Sequence, residues 1–287
     1  MNYNYLVIIL LNSLFLYLFS LQYFEHPEVF KLNPIYPPTV ITNVESKCPM
    51  IIHQLVPNIN NVPTGLYHTI LHNIRMNPEF EYRIYDNNSA LELLKKDFSV
   101  RQESAFISSN SNQLKTDYIK YAFITKYGGI FLDIKYICMY KFIDLLKYNN
   151  VYFVQMKRYD DLELAILGSH PNNPGISSAF NTATENLCHK TYTNIPSRIT
   201  GGTVIRDTLF NYGYLSDYVK LNIDTDHIIR MKHTQDIICK KYASYENENN
   251  LFHLLPSITD DFKEGRLYEN DYNQLINDTV SNIIDKN

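Results

Sequence analysis

Apolar and polar positions follow three rhythms along this chain. From Leu6 to Leu21 nearly every side chain is apolar, and no charged residue occurs before Glu25. A membrane-crossing helix needs about 20 such residues, so 1–24 is expected to be a signal anchor or transmembrane segment. A cleaved signal peptide needs small residues at its cleavage site, and no alanine precedes Ala90. Orientation stays open, because no Lys or Arg occurs on either flank until Lys31. Residues 25–47 contain Pro27, Pro34, Pro37 and Pro38, which predicts an extended stem. The folded domain is then expected over 48–287.

Within that domain, short apolar runs alternate with segments of helical period. Pro49–Leu55 is β-branched and apolar, which predicts a buried strand. Leu66, Ile70 and Ile74 recur at i, i+4 and i+8 and predict a helix over Thr64–Met76. Phe80–Asp86 alternates as a strand and runs into the turn formers Asp86–Ser89. Asn112–Tyr127 is the clearest helix, with Asn112 as N-cap and Gly128 just past its end. A strand over Gly129–Asp133 follows at once, and Val151–Gln155 predicts another. Helices are expected around Gly175–Leu187 and Thr203–Tyr212; the last forty or so residues show no assignable pattern. Strands alternating with helices predict an α/β domain with a mostly parallel central sheet flanked by helices.

Composition narrows the class. The chain has 287 residues, 45% hydrophobic and 20% charged, with a formal net charge of -4, which describes a globular protein. No basic block is present, so there is no electrostatic case for nucleic acid. Cys48, Cys138, Cys188 and Cys239 are far apart and lack zinc-type spacing; buried thiols and any of three disulfide pairings both remain open. A dinucleotide-dependent oxidoreductase is excluded, since no G-x-G-x-x-G follows a strand. The sequons at Asn87 and Asn277 are expected by chance in so asparagine-rich a chain.

The candidate chemistry gathers around one strand. In an open parallel sheet, ligands bind beyond the carboxyl ends of the strands, and Asp133 stands at such an end. Gly128 and Gly129 would let backbone approach a ligand without a Cβ in the way. Asp117 and Lys120 lie three apart and share a helix face, one suited to a hydroxyl or metal, the other to a phosphate.

The segment Lys115-Thr-Asp-Tyr-Ile-Lys-Tyr-Ala-Phe-Ile-Thr-Lys-Tyr-Gly-Gly-Ile-Phe-Leu-Asp-Ile-Lys135 resembles the donor-site signature of the DXD-type glycosyltransferases of family 32. Ile51-Ile-His-Gln54 resembles the opening strand of that family, and Asn77–Asp86 its second strand. Gly168-Ser-His-Pro171 and Thr200-Gly-Gly202 resemble later elements. The resemblance spans roughly residues 49 to 205. It implies a GT-A-type nucleotide-binding sandwich that moves a hexose or N-acetylhexosamine, with retention, from a nucleoside-diphosphate sugar. The implied acceptor is a glycan, glycoprotein or glycolipid, and the implied setting is the lumenal side of a secretory-pathway or equivalent membrane. By motif position Ile52, His53, Gln54, Tyr85 and Asp86 would border nucleobase and ribose. Asp117 would bind hydroxyls, Lys120 stands where the family usually has Arg, and Gly201 and Gly202 would admit a loop to the sugar or acceptor.

The second acid of the D-x-D is Lys135. In extended backbone, residues two apart face one way, so Asp133 and Lys135 are expected to face one site as the catalytic pair. Two carboxylates would hold Mn2+ or Mg2+, whereas this pair sums to zero charge. A dication about 5 Å from an ammonium is repelled by several kcal/mol at an effective dielectric near 20. Lys135 is therefore expected to support the leaving diphosphate. The alternative keeps a metal on Asp133 with a downstream ligand such as His253 or Asp260. Asp160, Asp161 and Glu163 are nominal acceptor contacts.

Overall fold

A computed structural model describes residues 29–241 apart from 43, 110, 147–152, 157–161, 191–195, 212–218, 224–227 and 232–236. The apolar segment 1–24 and residues Asp160, Asp161, His253, Asp260 and Asn277 lie outside the described residues. Among the described residues no helix is long and apolar enough to cross a membrane.

Twelve strands and seven helices are described. The strands are β1 (Val29–Phe30), β2 (Ile35–Tyr36), β3 (Ile51–Leu55), β4 (Val62–Pro63), β5 (Glu81–Tyr85), β6 (Gly129–Leu132), β7 (Tyr136–Cys138), β8 (Phe153–Met156), β9 (Leu162–Ser169), β10 (Val219–Ile223), β11 (Ile228–Met231) and β12 (Ile237–Lys241). The helices are α1 (Thr64–Met76), α2 (Asn87–Asp97), α3 (Val100–Ser108), α4 (Asn112–Tyr127), α5 (Phe142–Leu145), α6 (Pro174–Cys188) and α7 (Gly202–Asn211).

Ten strands form one sheet in the order β2-β5-β3-β6-β9-β8-β10-β11-β12-β7, and β1 pairs with β4. The fold is α/β, with the sheet flanked by helices. The sheet itself is mixed. The three strands that the apolar runs mark before Asp133 are parallel neighbours, β5 on β3 and β3 on β6. β8 and β10 are also parallel, and the remaining neighbours run antiparallel.

Alternation along β6 divides the core. Ile130 and Leu132 join the layer beneath α1 and α5, while Phe131 faces the layer built from α2, α3, α4, α6 and α7. Helix α4 lies inside this second layer, with an unbroken buried run from Tyr118 to Ile124. Its Phe123 ring packs 4.5 Å from the Tyr85 ring and 6.0 Å from His53. Along this buried run Asp117 and Lys120 are largely withdrawn from water and must find partners inside.

Three local features come from the structure. Residues 29–36 are not a detached stem. Leu32 is fully buried, its N–H donates to the Ile59 carbonyl, and β2 pairs with β5. The folded part therefore already includes Val29, and the boundary expected near Cys48 moves. The turn formers Asp86–Ser89 begin a helix: Asp86 caps α2 in a reciprocal box with Ser89. The eight-residue β9, unmarked by the sequence reading, fills the sheet between β6 and β8.

Candidate functional site

Asp133 follows the last residue of β6, at the carboxyl edge shared by β3, β5 and β6. Its N–H donates to the Ala165 carbonyl at 2.8 Å, so pairing with β9 continues one residue past the strand. There the chain turns. The Tyr136 N–H donates to the Asp133 carbonyl at 3.1 Å, and the Lys135 N–H donates to Asp133 Oδ1 at 3.0 Å. Asp133 and Lys135 thus do not lie along extended backbone, and the expectation that a two-residue period aims them together is corrected. A turn closed by the carboxylate itself brings them together instead.

One turn and one strand before, α4 supplies the other charges. Lys120 Nζ donates to Asp117 Oδ1 at 3.2 Å and to Asp133 Oδ2 at 3.4 Å. The Lys120 side chain is 4% exposed and those of Asp117 and Asp133 are 11% and 20% exposed, so the cluster opens toward solvent on the Asp133 side. The ammonium also stands 5.8 Å from the Phe131 ring centroid. Lys120 is a buried cation shared by two carboxylates.

Electrostatics separates the two acids. Burial pushes the Asp133 carboxyl up, but the Lys120 and Lys135 ammoniums and the Lys135 N–H outweigh it, and its pKa lies below the usual carboxylate value. At Asp117 burial wins over Lys120, with the Asp133 charge adding to it, and the pKa lies above that value. Burial pulls Lys120 down, yet the two carboxylates prevail and raise it. Two neighbouring acids driven in opposite directions are a recurrent mark of functional sites.

A loop closes over the cluster. A Cβ on Gly201 would come within 3.3 Å of Asp117 Oδ2 and 2.7 Å of Ser197 Cα. The Tyr121 hydroxyl donates to the Gly201 carbonyl at 2.8 Å and fixes the loop from beneath. Tyr121 follows Asp117 by four residues, so helical spacing places it on the same face; that was the available signal for a loop-positioning role. Gly202 serves packing instead, since a Cβ there would collide with the Leu162 carbonyl.

Other expected site residues are occupied elsewhere. Gly128 and Gly129 sit at the amino end of β6, opposite Asp133. A Cβ on Gly129, at φ +90°, would fall 2.4 Å from the Ile51 carbonyl oxygen, and one on Gly128 would meet Pro171 and Pro49. Their missing side chains admit the close approach of Ile51, Pro49 and Pro171. Ile52 is fully buried in the core. His53 Nε2 donates to the Gly128 carbonyl at 2.9 Å, leaving Nδ1 to accept from the Tyr85 hydroxyl at 3.1 Å. Burial drives its pKa down to about 3. Gln54 accepts from the Tyr82 hydroxyl at 2.9 Å. Asp86 accepts from the Ser89 N–H, and its other oxygen lies 3.4 Å from the Ile59 N–H. Ile52, His53, Gln54, Tyr85 and Asp86 thus help to hold the strand ends that carry the site.

The cluster does not fit the cation of a D-x-D site. Asp133 has one oxygen on Lys120 and the other on the Lys135 N–H. The charges of Asp117 and Asp133 are matched by Lys120 and Lys135. Among the described residues no group of three or more His, Cys, Asp or Glu side chains could hold a metal ion.

The architecture and the site together define an α/β protein with a charge cluster at the mouth of its central strands. Residues 63–152 match the family described as glycosyltransferase sugar-binding region containing DXD motif, a span that includes Asp117, Lys120, Asp133 and Lys135. An uncharacterized glycosyltransferase of Acanthamoeba polyphaga mimivirus is 24% identical over 168 residues, 57% of this chain and 65% of that protein. Inositol phosphoceramide mannosyltransferase 3 of Schizosaccharomyces pombe is 26% identical over 121 residues, 42% of this chain and 33% of that protein. The chain thus spans less than two thirds of the length of these curated relatives. Among solved structures, the PaToxG glycosyltransferase aligns with a TM-score of 0.47 and 16% identity, covering 57% of this chain and 69% of that one. Residues 63–152 are thus similar to the sugar-binding region of DXD-type glycosyltransferases.

Proposed function

We propose that this protein transfers a hexose or N-acetylhexosamine from a nucleoside-diphosphate sugar to a glycan or glycoconjugate acceptor, with retention of configuration. The observation that carries the reading is the buried Asp117–Lys120–Asp133 cluster at the carboxyl edge of β3, β5 and β6, inside the matched region. A desolvated charge group of this kind adds little to stability compared with an apolar core; its value lies in recognition. Mannose is a hexose, so the mannosyltransferase relative fits the same donor class.

In this reading Asp117 and Asp133 hold donor hydroxyls, and Lys120 fixes the two carboxylates. Lys135, the less buried cation of the cluster, meets the diphosphate as it departs. The acceptor hydroxyl attacks on the face the diphosphate leaves, and a phosphate oxygen of the leaving group takes its proton. No protein nucleophile is then required. The segment 1–24 would tether the catalytic domain to a membrane, with the domain on the lumenal side.

Hydrolysis of a panel of UDP- and GDP-sugars by the full chain, with chelator or with added manganese, tests the proposal. Turnover should persist with chelator and fall about 10²- to 10³-fold in Asp133→Ala, the scale of losing one preorganised hydrogen-bonding group at a reacting centre. Loss of turnover with chelator refutes the role given to Lys135. The engagement of both Asp133 oxygens favours one other reading, a nucleotide-sugar-binding protein without catalysis. Nucleotide binding with no turnover of any donor would establish it.

A further inference from the structure

Two of the four cysteines meet across the sheet. In the antiparallel β7·β12 pair, Cys138 stands directly opposite Cys239, and both are fully buried in the core. The kind of pairing can be read from hydrogen bonds. The Cys138 N–H donates to Asn73 Oδ1 at 2.8 Å, and His72 Nε2 donates to the Cys138 carbonyl at 2.9 Å. Both main-chain groups of Cys138 therefore point to α1, away from β12, and Cys138 and Cys239 form a non-hydrogen-bonded pair. In such pairs the Cα atoms approach to about 4.5 Å and the side chains lie closest. That separation falls within the span of about 4.4–6.8 Å that a disulfide bridges.

The other two cysteines have different neighbours. The Cys48 thiol lies 3.5 Å from the Gly129 carbonyl, and the Cys188 thiol lies 3.7 Å from the Arg101 carbonyl. We propose that Cys138 and Cys239 form a disulfide that ties edge strand β7 to β12.

The bond closes by thiol–disulfide exchange with an external disulfide, either a low-molecular-weight one or an oxidised protein dithiol. The thiolate of one cysteine attacks that disulfide and expels one thiol. The second cysteine then attacks the mixed disulfide and expels the other. Two S–H bonds are lost and one S–S bond forms; the external disulfide leaves as two thiols, carrying the two electrons and two protons. Burial, then the contact with the Cys138 thiol, holds the Cys239 pKa well above its ordinary value. The exchange therefore takes place before the core closes, and the finished bond is shielded from small thiols. Its position gives it a consequence: β7 begins one residue after Lys135, so the bond anchors the turn that carries Asp133 and Lys135.

This proposal is independent of the transferase reading. The full chain is refolded in an oxidised/reduced glutathione buffer, alkylated under denaturing conditions and mapped by peptide mass spectrometry. The expected product is a Cys138–Cys239 linked peptide with Cys48 and Cys188 alkylated. The oxidised chain should melt about 5–10 °C above the chain folded with dithiothreitol, a difference absent from C138V/C239V. Four alkylated thiols, or a linkage involving Cys48 or Cys188, would overturn it. The peptide map uses the wild-type chain, so the outcome does not hinge on whether the variant folds.

Discussion

Replacing Lys120 by Met keeps the length of the side chain and removes the cation between Asp117 and Asp133. The ammonium donates at 3.2 and 3.4 Å to the two acids, and its side chain is only 4% exposed. Two carboxylates would then face each other across the vacated position, with Lys135 as the remaining neighbouring cation. Breaking a buried pair from one side costs about 3–5 kcal/mol, because the surviving charge is left desolvated. The sign with pH follows from the shifts. Asp133 is depressed when folded, so its contribution is present above the unfolded value of about 3.9 and lost as pH falls through the folded value. Lys120 is raised, so its contribution is complete below about 10.4 and lost as pH rises through the folded value. Wild-type stability from this pair is therefore flat near neutrality. In the variant both carboxyls rise, the folded state takes up protons more readily than the unfolded one, and stability grows on acidification. Urea unfolding of the purified chain, followed by circular dichroism, should show the variant about 3–5 kcal/mol less stable at pH 8. The gap should narrow toward pH 5, and Lys120→Arg should recover most of it. A gap below about 1 kcal/mol at pH 8, or one that does not narrow, would refute the shared-cation reading.

Two further changes probe the frame of the site. His53 is held near pKa 3 against an ordinary 6.5; the unfolded chain binds its proton first, so stability is complete above about 6.5 and falls as pH drops toward 3. Between pH 7 and 5, wild type should lose about 2 kcal/mol more than His53→Gln in urea titrations, and equal losses would contradict the buried neutral imidazole. Gly129→Ala puts a Cβ 2.4 Å from the Ile51 carbonyl oxygen at φ +90°. The strain of that backbone region together with the overlap should cost about 2–4 kcal/mol by the same assay, and a neutral effect would show that β3 and β6 can separate freely.

Local rhythm in the chain was enough to mark β3, α1, β5, α4 and β6, because each has its own apolar period and its own punctuation. Gly128 past α4 and the acid after Leu132 were visible for the same reason, and Asp117, Lys120 and Asp133 do converge. Relations between distant segments were not encoded in any local period. β9 is apolar on both faces, as a strand buried in mid-sheet must be, and its place between β6 and β8 depends on pairings made from both sides. Gly128 and Gly129 announce close backbone approach, but only the packed chain reveals that Ile51 and Pro171 are what approach. Asp86 and His53 have the chemistry of ligand contacts, and only the fold shows that one caps a helix and the other bonds the Gly128 carbonyl. Asp133 and Lys135 meet through a turn closed by the carboxylate, a geometry that two-residue spacing does not foretell. Cys138 and Cys239 become neighbours only when β12 pairs with β7. Residue type and spacing determined which chemistry the chain possesses; long-range pairing and burial decided which of those groups share a site, since a side chain's partners are set by whatever the fold brings beside it.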